Sequence, residues 1–316
     1  MKPDILAVGK LAPTLEERLR QVYIFHERLP ESDPLAATAI AKRVRGIVAR
    51  TSSPVSREVI APLPGLEIIS VFGVGYDKVD VSAAHERSIV VTNTPDVLTE
   101  DVADTAIAML LCVSRGIPAG ERFLRQGLWK PNVISGKFPL MRKVSGGRVG
   151  IIGLGRIGSA IARRAEGFGM AIAYSDLAPK AGVSYTYFGS TEELAANVDF
   201  LMVAAYGGPT TRGLVNARVL RALGPKGFLI NVARGTIVDE PALVEALKAG
   251  VIRGAALDVF ANEPSVPPEL LTMDNVVLTP HLASGTEQTR KAMEDLVLAN
   301  LDAHFAGKKA LTPVLS

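Results

Sequence analysis

The chain has 316 residues, 48% of them apolar, and its 35 Lys and Arg nearly balance 32 Asp and Glu, which is material for about two globular domains. No basic block points to nucleic acid, and no run reaches the ~20 apolar residues of a membrane span. One cysteine, Cys112, excludes an intrachain disulfide and suits a reducing compartment, so the cytoplasm is the expected location. Cys112 lies in the apolar run Ala106 to Val113 and reads as a small buried hydrophobe rather than a reactive thiol.

In chain order, the first hundred residues alternate short strands and helices. Strands are predicted over Ile5 to Val8, Gly46 to Ala49, Leu66 to Val71 and Ile89 to Val91. Helices are predicted over Leu15 to Val22, with Thr14 as cap and Glu17 at the third position, and over Ser56 to Ala61. This alternation makes a small parallel α/β domain. Its strand ending at Val71 runs into Phe72-Gly73-Val74-Gly75-Tyr76-Asp77. Glycines past a strand's carboxyl end can turn backbone N–H groups toward an anion, and they serve a plain turn equally well.

Thr99-Glu100-Asp101 caps a long helix, Val102 to Gly116, apolar almost all round and therefore in need of cover on several sides. Residues 117 to 144, with Trp129, Pro131, Phe138 and Pro139, lack clean periodicity and read as an extended arm suited to reaching over a partner subunit. From Val149 the alternation is clean. Strands are expected at Val149 to Ile152, Ala171 to Tyr174, Phe200 to Ala204, Phe228 to Val232, Ala255 to Val259 and Val276 to Leu278. The helices among them include Ser159 to Gly169, Thr191 to Ala196 and Pro241 to Ala249, the last capped by Asp239. That count is that of a doubly wound nucleotide-binding domain. A final amphipathic helix is predicted over Gln288 to Phe305, with Thr286 or Glu287 at its start.

The first strand of this second half leads into Gly153-Leu154-Gly155-Arg156-Ile157-Gly158, a G-x-G-x-x-G turn. Such a turn lets a backbone approach a pyrophosphate at a helix N-terminus. Alone it is weak, but a buried strand precedes it, small residues open the helix, and Asp176 stands at the end of the next strand. A carboxylate about 20 positions on accepts hydrogen bonds from an adenosine ribose, so the pattern reads as a dinucleotide site.

Three further strand ends carry chemistry: Arg234 in Asn231-Val232-Ala233-Arg234-Gly235, Asp258 and Glu263 in Leu257 to Pro264, and His281 in Leu278-Thr279-Pro280-His281. Parallel strands open these turns on one edge of the sheet. An arginine fork binds a carboxylate or polarises a carbonyl, and a histidine exchanges the proton that accompanies hydride transfer. A glutamate on that histidine fixes its ring. Each has a plainer use: Arg234 as partner of a surface acid, His281 as a satisfied core histidine, Glu263 as a turn cap. Their coincidence at successive strand ends favours chemistry. His26, His85 and His304 sit in helical, charged surroundings and are expected at the surface, and no metal site is expected.

Val149 to Gly158, Asn231 to Glu240, Leu257 to Pro264 and Thr279 to Thr286 together resemble the D-2-hydroxyacid dehydrogenase family. Over Val149 to Gly167 and Glu263 to Pro313 the chain is most similar to its hydroxyphenylpyruvate, hydroxypyruvate and glyoxylate reductases. The resemblance implies two Rossmann-like α/β domains with doubly wound parallel sheets and a cleft between them. Residues 1–98 plus 289–316 would form a flavodoxin-like substrate domain, and 99–288 the NAD(P)-binding domain. It implies Arg234, Glu263 and His281 as the catalytic set, and Val74 and Gly75 as N–H donors to the substrate carboxylate, with Arg234 and His281 also on the substrate. Cofactor contacts are implied for Gly153 to Gly158, Asp176, Val232, Ala233, Asp258 at the nicotinamide amide, His281 and Ser284. It further implies a homodimer made through the nucleotide domain and 2-oxo or 2-hydroxy acids as substrates.

Asp176 repels the 2′-phosphate of NADP and favours NAD. Lys180 and Arg156 are cations near enough in sequence to keep NADP open. The substrate's R group is expected near Ser52, Val74, Leu98 and the 129 to 141 arm. The rival reading is a catalytically silent NADH-sensing interaction module on the same fold, against which the intact Arg234, Glu263 and His281 set argues. Formate or phosphite oxidation is a third, weaker reading.

Overall fold

The computed structural model describes residues 2–130 and 139–314, arranged as two compact units. The first comprises Met1–Leu98 and Thr286–Ser316, the second Thr99–Gly285. No single helix among the described residues is long and apolar enough to cross a membrane.

The first unit holds β1 (Asp4–Val8), α1 (Pro13–Val22), β2 (Ile24–His26), α2 (Pro34–Ala41), β3 (Val44–Arg50), α3 (Arg57–Ile60), β4 (Ile68–Phe72), α4 (Val81–Glu86) and β5 (Val90–Thr92). All five strands pair in parallel, in the order β2-β1-β3-β4-β5, which is the flavodoxin-like arrangement. Strand β4 is buried along its whole length, as a strand covered on both faces must be. Ile47, Ile69, Val71 and Val91 form the core on one side with Ile60 and Leu63. The chain's last helix, Glu287–Phe305, returns to lie against β4 and is capped by the Thr286 hydroxyl, which accepts the Thr289 N–H at 3.2 Å.

Three elements here escape the sequence periodicity: β2, α2 and α4. Helix α2 reads as a run of alanines, yet Asp33 caps it and Pro34 supplies its first position. Thr14 is not the cap of α1. That helix begins at Pro13, behind Ala12, and the Thr14 hydroxyl donates instead to Glu294 of the last helix. Nor is His26 helical: it lies on β2 and its Nε2 is 2.8 Å from the buried Asp4 carboxylate. His304 is likewise partly buried and bonded to Glu67, whereas His85 is exposed as expected.

The second unit holds α5 (Thr99–Arg115), α6 (Ile117–Arg125), β6 (Arg148–Ile152), α7 (Arg156–Glu166), β7 (Ala171–Ser175), β8 (Thr186–Tyr187), α8 (Thr191–Ala196), β9 (Phe200–Val203), α9 (Ala217–Leu223), β10 (Phe228–Asn231), α10 (Glu240–Lys248), β11 (Gly254–Leu257) and β12 (Val276–Leu278). Seven parallel strands run β12-β11-β10-β9-β6-β7-β8, so chain order reverses between β6 and β9. In a doubly wound sheet a ligand crevice forms at the carboxyl ends of the strands flanking that reversal. Strands β6, β9, β10 and β11 are apolar and covered on both faces, which is why they read as continuous hydrophobic runs.

The start of the expected arm is a helix, α6. Pro118 near its start and the left-handed Gly116 before it break it from α5 and hide the continuity in the sequence. Trp129 and Pro139 lie beyond its end, and Pro131 and Phe138 fall outside the described residues. Cys112 is half-buried, and burial pushes its thiol pKa up, consistent with an inert packing role.

Candidate active site

The glycine turn follows β6 directly. Gly153 has φ +87°, and a Cβ there would stand 2.6 Å from Cα of Ala205, just past β9. Gly158 lies inside α7, where a Cβ would come within 2.1 Å of the Gly153 carbonyl oxygen, so only glycine lets this helix approach the turn. Gly155 differs: a Cβ there would meet nothing within 4 Å. Gly155 is exposed at the N-terminus of α7, and no side chain caps that helix. An open face, a helix dipole and no competing cap fit a pyrophosphate. Leu154 is buried beneath the turn, Ile157 half-buried, and Arg156 exposed at the first helical position.

Asp176 follows β7 and binds this turn. Its Oδ2 accepts the Leu154 N–H at 3.0 Å and lies 3.2 Å from Lys180 Nζ, while Oδ1 accepts the Leu177 N–H at 2.8 Å. Partial burial alone would raise the carboxyl pKa. The Leu177 N–H, Lys180 and the Leu154 N–H outweigh it and hold the group below its ordinary value. The Lys180 segment is anchored in turn, since its N–H donates to the Tyr174 hydroxyl at 2.8 Å. The residues present therefore fit a nicotinamide dinucleotide.

The polar strand ends converge as the parallel sheet requires. His281 Nδ1 lies 2.8 Å from Glu263 Oε2, and Glu263 Oε1 accepts the Phe260 N–H at 3.1 Å. Burial pushes the Glu263 pKa up, but the His281 bond and charge, the Phe260 N–H and the field of Arg234 bring it below its ordinary value. A carboxylate can only accept, so Nδ1 carries the hydrogen and Nε2 is the nitrogen left to exchange a proton. His281 has φ +51°, an uncommon conformation for a side-chain-bearing residue. Arg234 is half-buried; its Nη1 donates to the Ala233 carbonyl at 2.7 Å, and its methylenes pass Gly207, where a Cβ would come within 2.4 Å of Arg234 Cγ.

Several contributors were not apparent in the sequence. Gly235 brings the Arg234 turn onto the Glu263 turn, because a Cβ at 235 would stand 1.9 Å from the Phe260 carbonyl carbon. Glu240 Oε1 accepts the Ala261 N–H at 3.0 Å and steadies the same loop. Asn231 and Thr279 bond within the Arg234 and His281 turns. A polar residue closing the apolar strand Phe228-Leu229-Ile230-Asn231 was the available sign.

Asp258 follows β11 and is 0% exposed; its carboxylate accepts hydrogen bonds from the Thr279 hydroxyl and from the Leu282 and Ala283 N–H groups. Of the other expected cofactor contacts, Val232 is buried while Ala233 and Ser284 are half-buried.

In the first unit, the Val74–Gly75 turn follows β4. Asn93 Nδ2 donates to the Val74 carbonyl at 2.8 Å, and the Thr94 N–H donates to the Gly73 carbonyl at 2.9 Å. Among the described residues the buried Thr94 hydroxyl has no hydrogen-bond partner. Of the residues expected near an R group, Ser52 is exposed, Val74 half-buried and Leu98 buried.

Comparison with known proteins accords with this geometry. Residues 107–283 match the family model for the NAD-binding domain of D-isomer specific 2-hydroxyacid dehydrogenases. The chain is 52% identical over 275 residues to the hydroxyphenylpyruvate reductase of Plectranthus scutellarioides, covering 87% of each chain. It is 50% identical over 286 residues to a glyoxylate/hydroxypyruvate reductase of Arabidopsis thaliana, covering 90% of each. A crystal structure of an NADPH-dependent glyoxylate/hydroxypyruvate reductase from Sinorhizobium meliloti, in complex with NADP and malonate, superposes with a TM-score of 0.91 at 51% identity, covering 99% of this chain and 97% of that one. The chain belongs to the D-isomer specific 2-hydroxyacid dehydrogenase family.

Proposed function

We propose that this protein is an NAD(P)-dependent reductase of small 2-oxo acids of the glyoxylate, hydroxypyruvate or hydroxyphenylpyruvate type, yielding the D-2-hydroxy acid or running the reverse. The bound dinucleotide supplies the hydride at its nicotinamide ring. Arg234 receives the substrate carboxylate or carbonyl with its guanidinium fork. Protonated His281 gives its Nε2 proton to the carbonyl oxygen. Glu263 holds the ring through Nδ1 and stabilises the imidazolium. Val74 and Gly75 offer N–H groups to the substrate carboxylate. The observation that carries this reading is the 2.8 Å bond between His281 Nδ1 and Glu263 Oε2, which fixes the tautomer an acid/base histidine needs.

A steady-state screen of glyoxylate, hydroxypyruvate, pyruvate and 4-hydroxyphenylpyruvate tests it. Turnover on at least one is expected; NADH binding without turnover on any would favour the silent sensing module instead.

Glu263→Gln is expected to lower kcat for the 2-oxo acid, because an amide neither fixes the Nδ1–H tautomer nor stabilises the imidazolium as the anion does; an unchanged kcat would contradict the role. The stability contribution has a definite sign. Glu263 has a depressed pKa in the folded state, so the pair stabilises fully above the ordinary value of 4.5, and that stability is lost as pH falls through the depressed value.

For the cofactor, we propose a preference for NAD(H), with NADP(H) accepted poorly. The Asp176 carboxylate sits where the adenosine ribose is expected, and unscreened repulsion of a 2′-phosphate at contact is worth about 1–4 kcal/mol. Lys180, 3.2 Å from that carboxylate, offsets part of this. The kcat/KM with NADH is expected to exceed that with NADPH by at least about tenfold; equal values or an NADPH preference would reverse the assignment. We further propose a cytoplasmic homodimer. Helix α6 buries none of its residues, and Ile117, Leu124 and, just beyond it, Leu128 and Trp129 are exposed. Apolar surface of that kind is suited to a second copy, and light scattering should give twice the chain mass.

A further inference from the structure

We propose that Asn93 is a positioning residue for the substrate carboxylate, and that Asn300 and Thr312 of the chain's C-terminal segment hold it in place. The Asn93 amide aims the N–H groups of the Val74–Gly75 turn through their own peptide planes. The inference deepens the proposed function and rests on its reading of Val74 and Gly75 as carboxylate donors.

A trans peptide is planar, and its C=O and N–H point in opposite directions. The Gly75 N–H shares its plane with the Val74 carbonyl, and the Val74 N–H shares its plane with the Gly73 carbonyl. These two carbonyls are the ones held from the end of β5. Asn93 Nδ2 donates to the Val74 carbonyl at 2.8 Å, and the Thr94 N–H donates to the Gly73 carbonyl at 2.9 Å. Each bond draws a carbonyl toward residues 93 and 94 and so turns the paired N–H to the other side. Gly73, at φ +144°, gives the turn an entry that side chains rarely adopt. Gly75 is buried, yet no described residue accepts its N–H or that of Val74. Buried N–H groups seek an acceptor, and two neighbouring ones without one in the chain suit an anion.

Asn93 is itself held from behind. It is 9% exposed, and its carbonyl accepts the Thr312 hydroxyl at 2.6 Å. That hydroxyl accepts in turn from Asn300 Nδ2 at 2.9 Å. Asn300, on the last helix, is 0% exposed and uses its whole amide. Oδ1 accepts the Leu311 and Thr312 N–H groups at 2.9 and 3.0 Å, and Nδ2 also donates to the Leu296 carbonyl at 2.9 Å. Thr312 thus donates on one side and accepts on the other, which a hydroxyl can do and a methyl cannot. The tail around it lies antiparallel along β5, the edge strand of this sheet, with a bridge from Thr92 to Pro313 and the Val314 N–H on the Val91 carbonyl at 2.8 Å. Covering a sheet edge needs only such main-chain bonds. The side chains of Asn300 and Thr312 add a second set, and that set ends on Asn93.

Asn93→Ala removes the amide, and Thr312→Val removes only the relaying hydroxyl at constant shape. Misaiming a hydrogen bond to a charged group is expected to raise KM for the best 2-oxo acid of the screen about 10- to 100-fold in Asn93→Ala and about 3- to 10-fold in Thr312→Val. The carboxylate is bound alike in ground and transition states, so kcat should stay within about twofold. Thr312→Ser keeps the hydroxyl and should restore the parental KM. The NADH Kd, read by nicotinamide fluorescence, should not move, because the glycine turn belongs to the other unit. An unchanged KM with a lower Tm in Asn93→Ala makes the network merely structural, and a Thr312→Ser variant as impaired as Thr312→Val breaks the relay; either overturns the proposal. Should Asn93→Ala not fold, Thr312→Val carries the test alone, with a parental KM counting against it. A further readout needs no substrate. The amide nitrogen of Gly75 senses the bond to the carbonyl of its own peptide, so its NMR resonance should shift in Asn93→Ala and Thr312→Val and return in Thr312→Ser. A fixed resonance overturns the proposal, whereas these shifts in a protein inactive on every 2-oxo acid defeat the functional reading alone.

Discussion

Replacing His281 by alanine is expected to lower 2-oxo acid turnover by about 10²–10⁴, the usual contribution of a positioned general acid. The half-exposed ring is held by Glu263 and the turn by Asp258, so its loss removes the proton donor without opening the core. NADH affinity and Tm should stay near the parent's, and the loss should appear in kcat rather than KM. Turnover within tenfold of the parent would remove His281 from the mechanism. Arg234→Lys is a useful companion, because a point charge cannot reproduce the two-pronged hydrogen bonding of the guanidinium.

Gly235→Ala is expected to be the most damaging conservative change in the second unit. Its added Cβ would lie 1.9 Å from the Phe260 carbonyl carbon, 2.2 Å from its oxygen and 2.3 Å from the Ala261 nitrogen. All three are main-chain atoms, so no side chain can rotate aside. The Arg234 turn and the loop leading to Glu263 must separate, which parts the guanidinium from the Glu263–His281 pair. Overpacking of this kind costs about 1–3 kcal/mol or more, and activity should fall further than stability. A variant with parental Tm and activity, measured by calorimetry and steady-state kinetics, would show that the two turns are not rigidly apposed.

The second unit was legible in the sequence because its strands are covered on both faces and stand out as apolar runs between punctuating glycines. The glycine turn, Asp176, Arg234, Glu263 and His281 were visible for the same reason: each lies within six residues of the end of such a strand. What stayed hidden was of two kinds. Short elements such as α2 and β2 carry no periodicity: α2 is set by its Asp33 cap and Pro34, and β2 by its pairing with β1. Helix α6 was obscured because Gly116 and Pro118 break it from α5 at its start. The contacts of Asp258 and Gly235 join turns far apart in sequence.

The bond from the Leu154 N–H to Asp176 Oδ2 links the residue proposed to meet the ribose to the loop proposed to hold the phosphates. Cofactor choice and loop rigidity are thereby a single mechanical unit. Exchanging Asp176 for a small neutral residue to admit a 2′-phosphate would also slacken the glycine turn, weakening both dinucleotides before it favours either. A successful re-engineering would keep an acceptor for Leu154 at this position and add the cation elsewhere, with Lys180, already tethered through Tyr174, as the natural place to begin.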